Sequence, residues 1–138
     1  MDMEIAGIVE KGKQLGRTLG FPTANIRLDG AYQLPENGVY QAAMWIQDMD
    51  RPLACMLNQG QHPTAPEGKP TIEVHILNFD EEIYGKSVRV RYGGFLRPER
   101  RFESLEGLKR QLTRDRAETL QWACESALEY HWANVPEK

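Results

Sequence analysis

Apolar and polar residues alternate most clearly over TIEVHILNF (71–79), where Ile72, Val74 and Ile76 share one side and Thr71, Glu73 and His75 the other. A period of two is that of a half-buried strand. KSVRVRYGGF (86–95) repeats it with Val88, Val90 and Tyr92, and MEIAGIV (3–9) does so more loosely. NIRL begins another extended piece at Asn25. GVYQAAMWIQ (38–47) and LACMLN (53–58) flank the turn DMDRP (48–52) and predict a hairpin. LPENG (34–38) and DEEIYG (80–85) are further turns, and QGQHPTAPEGKP (59–70), with three prolines and two glycines, is a loop. β-Branched, alternating segments joined this way argue a mainly antiparallel β-sheet, closed or partly closed.

The period changes at Ser104, a plausible helix N-cap. Leu105, Leu108 and Leu112 recur at helical spacing, and Leu120, Cys124, Ala127, Leu128 and His131 continue it. The pattern lapses over Thr113–Arg116, which predicts a helix interrupted or bent there.

Composition narrows the function. At 138 residues the expectation is one domain, with the barrel over about 3–102 and the helical segment over about 104–133. Hydrophobic residues make up 41% and charged residues 27%, as in a folded globular chain. A net charge of −3 argues against a nucleic-acid binder, and the absence of a long apolar run argues against a membrane span. The acidic start Met1-Asp2-Met3-Glu4 has no apolar leader character. Cys55 and Cys124, far apart in apolar segments, predict two buried free thiols rather than a disulfide, and a cytoplasmic protein.

The candidate chemistry begins with LGRTLGFPTANIRL (15–28). Glycines 12, 16 and 20 recur with Arg17 among them, but spacing and flanks do not fit a Walker A loop. Glycines admit phosphate oxygens to backbone amides and an arginine adds a charged fork, although a ligand-free turn has the same composition. In Pro22-Thr23-Ala24-Asn25 the hydroxyl and amide point to one side of an extended chain. Both are hard oxygen donors suited to Mg²⁺ beside phosphate, or to local turn hydrogen bonds.

GIVEKGKQLGRTLGFPTANIRL resembles the opening of the riboflavin kinase family, including the kinase half of bifunctional riboflavin kinase/FAD synthetases. The resemblance continues through LPENGVY, NQGQHPT, EVHILNFDEEIYG, FLRPERRF and SLEGLKRQLTRD, from Gly7 to Asp115. It implies a six-stranded Greek-key β-barrel with a C-terminal helical segment. The implied activity is transfer of the γ-phosphate of ATP to the 5′-hydroxyl of riboflavin, with Mg²⁺ or another divalent metal.

By resemblance, Glu73 is the catalytic carboxylate. Thr23 and Asn25 hold the metal and the nucleotide phosphates, under a glycine loop containing Gly12 and Arg17. Ile76, Asn78 and Tyr84 line the nucleotide pocket, and Arg97, Arg100 and Phe102 belong to the loop that closes on the flavin. The partners are riboflavin and ATP, bound by a monomer with no nucleic acid or membrane. Glu73 on the polar face of its strand suits a proton acceptor, whereas His75 reads as structural and Arg101 as part of an exposed basic run. The family commonly has Ile at Gln59, implying a more polar wall near the ligands, and Asp at Asn78, implying a lost charge. No adenylyltransferase motif is present, so FAD synthesis by this chain is not expected. The alternative on the same barrel is a flavin-binding module without turnover, which has no need of the phosphate-side residues.

Overall fold

The structure is a computed structural model that describes residues 3–11, 19–61 and 69–136. Six strands form in the segments the sequence pattern marks: β1 (Glu4–Lys11), β2 (Ala24–Leu28), β3 (Gly38–Ile46), β4 (Leu53–Gly60), β5 (Thr71–Ile76) and β6 (Ser87–Arg97). They close an antiparallel barrel in the order β1-β2-β5-β4-β3-β6, the Greek-key arrangement. Closure leaves no sheet edge unpaired.

Inward-facing residues fill the barrel: Ile5 and Val9, Ile26, Tyr40 and Met44, Leu57, Val74, and Val90 with Tyr92. β3 and β4 differ from the other strands because a second apolar layer covers their outer face. There Ala43, Ala54 and Met56 pack with Ala123, Trp132 and Val135. Two-sided burial explains why these strands read as nearly continuous apolar runs rather than alternations.

The helical segment differs from the sequence expectation. α1 (Leu105–Glu125) runs unbroken through Thr113–Arg116, and the interruption falls at Ser126, before a short α2 (Ala127–Tyr130). Ser104 is the N-cap, its hydroxyl accepting from the Gly107 amide at 3.0 Å. The polar residues that looked like a break are satisfied within the helix or against the barrel. Thr113 donates to the Lys109 carbonyl, Thr119 donates to the Asp115 carbonyl, and the Asp115 carboxylate meets Arg97. Leu105 and Leu128, counted on the apolar stripe by spacing, are exposed.

Close approach docks α1. A Cβ on Gly93 of β6 would lie 2.7 Å from the Trp122 ring, so only glycine admits the indole there. Beyond α2, Asn134 exchanges hydrogen bonds with the Ala54 backbone and donates to the Leu77 carbonyl, while Arg51 donates to the carbonyls of His131 and Trp132. Cys55 and Cys124 are free thiols; the first is buried and its thiol is pushed up to about 12 by desolvation, while the second is half-buried.

Gln59 does not face the outer wall, where its polarity would alter a ligand surface. It is 1% exposed and reaches inside, accepting from the Tyr92 hydroxyl at 2.7 Å and donating to the Pro35 carbonyl and Asn37. It thereby ties the 34–38 turn to the barrel interior. Gln59→Leu is expected to lower unfolding free energy by about 1–3 kcal/mol, because the buried Tyr92 hydroxyl loses its acceptor. Urea melts check this, and Tyr92→Phe should return part of the loss in the double variant.

Candidate active site

Strand register builds a polar row across the outside of the barrel. Glu10 pairs with Asn25, Asn25 with Glu73, Glu73 with Asn58, Asn58 with Val39, and Val39 with Arg97. Directly paired residues point to the same face. Their neighbours Val9, Ile26, Val74, Leu57 and Tyr40 point into the core. The carboxylates of Glu10 and Glu73 alternate with the amides of Asn25 and Asn58, and past Val39 the row ends on the Arg97 guanidinium.

Thr23 lines two cavities, of which the smaller opens on this face. The larger, about 550 Å³, has an apolar floor of Val74, Ile76, Phe79 and Ile83 with Lys11 and Tyr84 at its rim. The smaller, about 320 Å³, lies between the barrel and α1. Glu73, His75 and Asn58 form its barrel wall, and Phe102, Leu108 and Leu112 its apolar side. Pro22 ends in the larger chamber and Phe21 in the smaller, so the Phe21-Pro22-Thr23 segment forms the partition.

The arginines of the smaller chamber are tied down. Arg97 grips Asp115 of α1 with Nη2 at 2.8 Å and Nε at 3.1 Å from both carboxylate oxygens, while Gln111 donates to the same carboxylate at 2.9 Å. Arg100 lies 4.9 Å from the Phe102 ring centroid and Arg97 5.7 Å, so both present charge to that ring. Glu99 also lines this chamber. Its carboxylate occupies the space a side chain at Gly60 would need, since a Cβ there would lie 1.7 Å from Oε1.

His75 is buried. Its ring lies 5.3 Å from the Phe21 ring, and Nδ1 is 2.8 Å from the Pro22 carbonyl oxygen. Burial, the largest influence, lowers its pKa from the usual histidine value; the Pro22 hydrogen bond opposes this and Arg116 adds to it. The imidazole is therefore neutral near pH 7.

Of the residues singled out from the sequence, Thr23, Glu73, Arg97, Arg100 and Phe102 gather at the smaller chamber, and Ile76 and Tyr84 line the larger. Asn25 stands beside Glu73 in the polar row. Asn78 is directed elsewhere: it accepts from Arg116 of α1 at 2.7 Å and donates to the Asn134 carbonyl. Its backbone has φ 49°, a left-handed conformation asparagine tolerates, which turns the chain after β5. Gly12 and Arg17 lie outside the described residues. Sequence reasoning passed over Glu99, although it sits inside RPERRF, and over Asp115 and Leu112, whose partners lie in distant strands and loops.

Two chambers thus meet at Thr23, and the Glu73 carboxylate stands on the wall of the smaller. The chain belongs to the riboflavin kinase family: the flavokinase (riboflavin kinase) family model matches residues 1–123. It is 35% identical over 121 residues to the bifunctional riboflavin kinase/FMN adenylyltransferase of Bacillus subtilis, a match covering 86% of this chain and 38% of that protein. The chain thus spans well under half the length of that relative. The crystal structure of riboflavin kinase from Trypanosoma brucei superposes with a TM-score of 0.65 at 26% identity, over 87% of this chain and 78% of that one. A Streptococcus pneumoniae structure described as a macrolide-efflux protein superposes with a TM-score of 0.78 at 31% identity, over 88% of this chain and 39% of that one. No helix among the described residues is long and apolar enough to cross a membrane.

Proposed function

We propose that the chain transfers the γ-phosphate of ATP to the 5′-hydroxyl of riboflavin, giving FMN and ADP. The observation that carries this reading is the junction of the two chambers at Thr23, with Glu73 on the wall of the smaller one. ATP occupies the larger chamber, its base against the apolar floor and its phosphates directed at Thr23. Riboflavin occupies the smaller one, its ring among Phe102, Leu108 and Leu112 and its ribityl chain leading to Glu73. Both chambers are built from one chain, which supports action as a monomer. Free thiols and the need for ATP support a cytoplasmic location.

In this reading Glu73 orients the ribityl hydroxyl and accepts its proton as the oxygen attacks the γ-phosphorus. The new O–P bond forms while the bond to the bridging oxygen of ADP breaks, so FMN leaves as the phosphomonoester. The Thr23 hydroxyl and Asn25 amide oxygen are hard donors that fit Mg²⁺ when phosphate oxygens complete its shell. Bound there, the cation would neutralise charge on the transferring phosphoryl group.

Incubating the 138-residue chain with riboflavin and Mg-ATP, with flavins separated by chromatography, tests the proposal. FMN should accumulate and FAD should not. Absence of FMN with every divalent metal tried would overturn the kinase reading, and FAD formed from FMN and ATP would overturn its restriction to the first step.

A further inference from the structure

Thr23 stands immediately before the first residue of β2, where ladder pairing begins with Ala24 opposite Lys11 and Val74. The strand therefore does not set its orientation, yet among the described residues Thr23 is the one that lines both chambers. Pro22 has no amide hydrogen to donate, so its carbonyl is the polar group through which its backbone can be held. That carbonyl is 2.8 Å from Nδ1 of His75. A carbonyl oxygen only accepts, so Nδ1 carries the proton and the ring donates. The Pro22 carbonyl and the Thr23 nitrogen belong to one planar peptide group, and holding the oxygen holds the plane from which Thr23 projects. Pro22 lines the larger chamber and His75 the smaller, so this hydrogen bond crosses the partition. The imidazole is itself held, packed against Phe21 and only 8% exposed.

We propose that His75 is a positioning residue: by donating from Nδ1 to the Pro22 carbonyl it fixes the Pro22–Thr23 peptide and holds Thr23 between nucleotide and acceptor. This rests on the kinase reading for its kinetic consequence, but the hydrogen bond itself can be tested without ligand. It gives His75 a task that involves no proton transfer with substrate, and it separates packing from donation. Leucine at 75 fills similar space without a donor, whereas the asparagine amide nitrogen can take the place of Nδ1.

The experiment compares His75→Leu and His75→Asn with the unaltered chain in two arms. In the first, NMR on ligand-free protein should show the Nδ1–H tautomer of His75. The Thr23 amide resonance should move in His75→Leu and return toward its original position in His75→Asn. In the second, His75→Leu should lose about 10- to 100-fold in kcat and raise the KM for ATP, the scale on which small misplacements act. Because His75 also walls the smaller chamber, riboflavin binding without nucleotide, read by flavin fluorescence, should change to a similar extent in His75→Leu and His75→Asn, whereas kcat should separate the two variants. His75→Asn should recover most of the kcat loss. A purely structural role would lower the melting temperature of both variants without splitting their kinetics, and would overturn the proposal. So would the Nε2–H tautomer in the unaltered chain, a measurement that needs no variant to fold. If the unaltered chain makes no FMN, the kinase reading fails, and the NMR arm still decides whether His75 holds Thr23.

Discussion

Glu73→Gln is expected to leave the barrel folded and to slow FMN formation by at least about two orders of magnitude, the lower end of general-base contributions. Glutamine keeps the length of the side chain and one oxygen acceptor, and the backbone pairing of residue 73 with Asn25 and Asn58 does not depend on the side chain's charge. What it loses is the ability to take a proton. A loss of ~10²–10⁴-fold corresponds to about 3–5 kcal/mol in the barrier. The same exchange at a solvated strand position costs under about 0.5 kcal/mol of stability and leaves turnover alone. Single-turnover FMN formation, with thermal melts as the folding control, separates the two. Chemistry at the unaltered rate would remove Glu73 from the reaction and leave positioning by cation and loop as the whole source of rate.

The contrast between β5 and α1 shows how far the sequence reaches. In β5 the period of two put Glu73 and His75 on the face away from Ile72, Val74 and Ile76, and the barrel keeps that division. Strand alternation is a local property, so it is legible without knowing the neighbours. Burial of His75 is not local: it comes from Phe21, carried by a segment more than fifty residues away. Gln59 misled for a related reason, since its residue type suggests an exposed wall while its place in the β4 alternation sends it inside to Tyr92. The motif Pro22-Thr23-Ala24-Asn25 falls at the junction of the two chambers. It carried no sign of the imidazole beneath it or of the helix that closes the second chamber.

The polar stretch Thr113–Arg116 interrupts the apolar spacing of α1 without interrupting the helix. Asp115 is instead the buried anchor of α1: its side chain is 2% exposed, and the Arg97 side chain it grips is 17% exposed. Asp115→Ala is expected to cost about 3 kcal/mol, the lower end for breaking a buried pair because Arg97 retains some access to water. Against a typical domain stability of 5–15 kcal/mol this is a large fraction. Arg97→Met alone strands the carboxylate and should cost a similar amount. The Asp115→Leu/Arg97→Met double variant removes both charges and should be more stable than the sum of the two losses predicts. The functional effect should be one-sided. Arg97, Leu108 and Leu112 line the smaller chamber and none lines the larger, so loosening α1 should raise the KM for riboflavin more than the KM for ATP. Urea melts of the single and double variants, with both KM values measured below the unfolding transition, check the two parts together. Additive stability losses, or equal rises in both KM values, would mean that the Arg97–Asp115 pair neither anchors α1 nor shapes the riboflavin side.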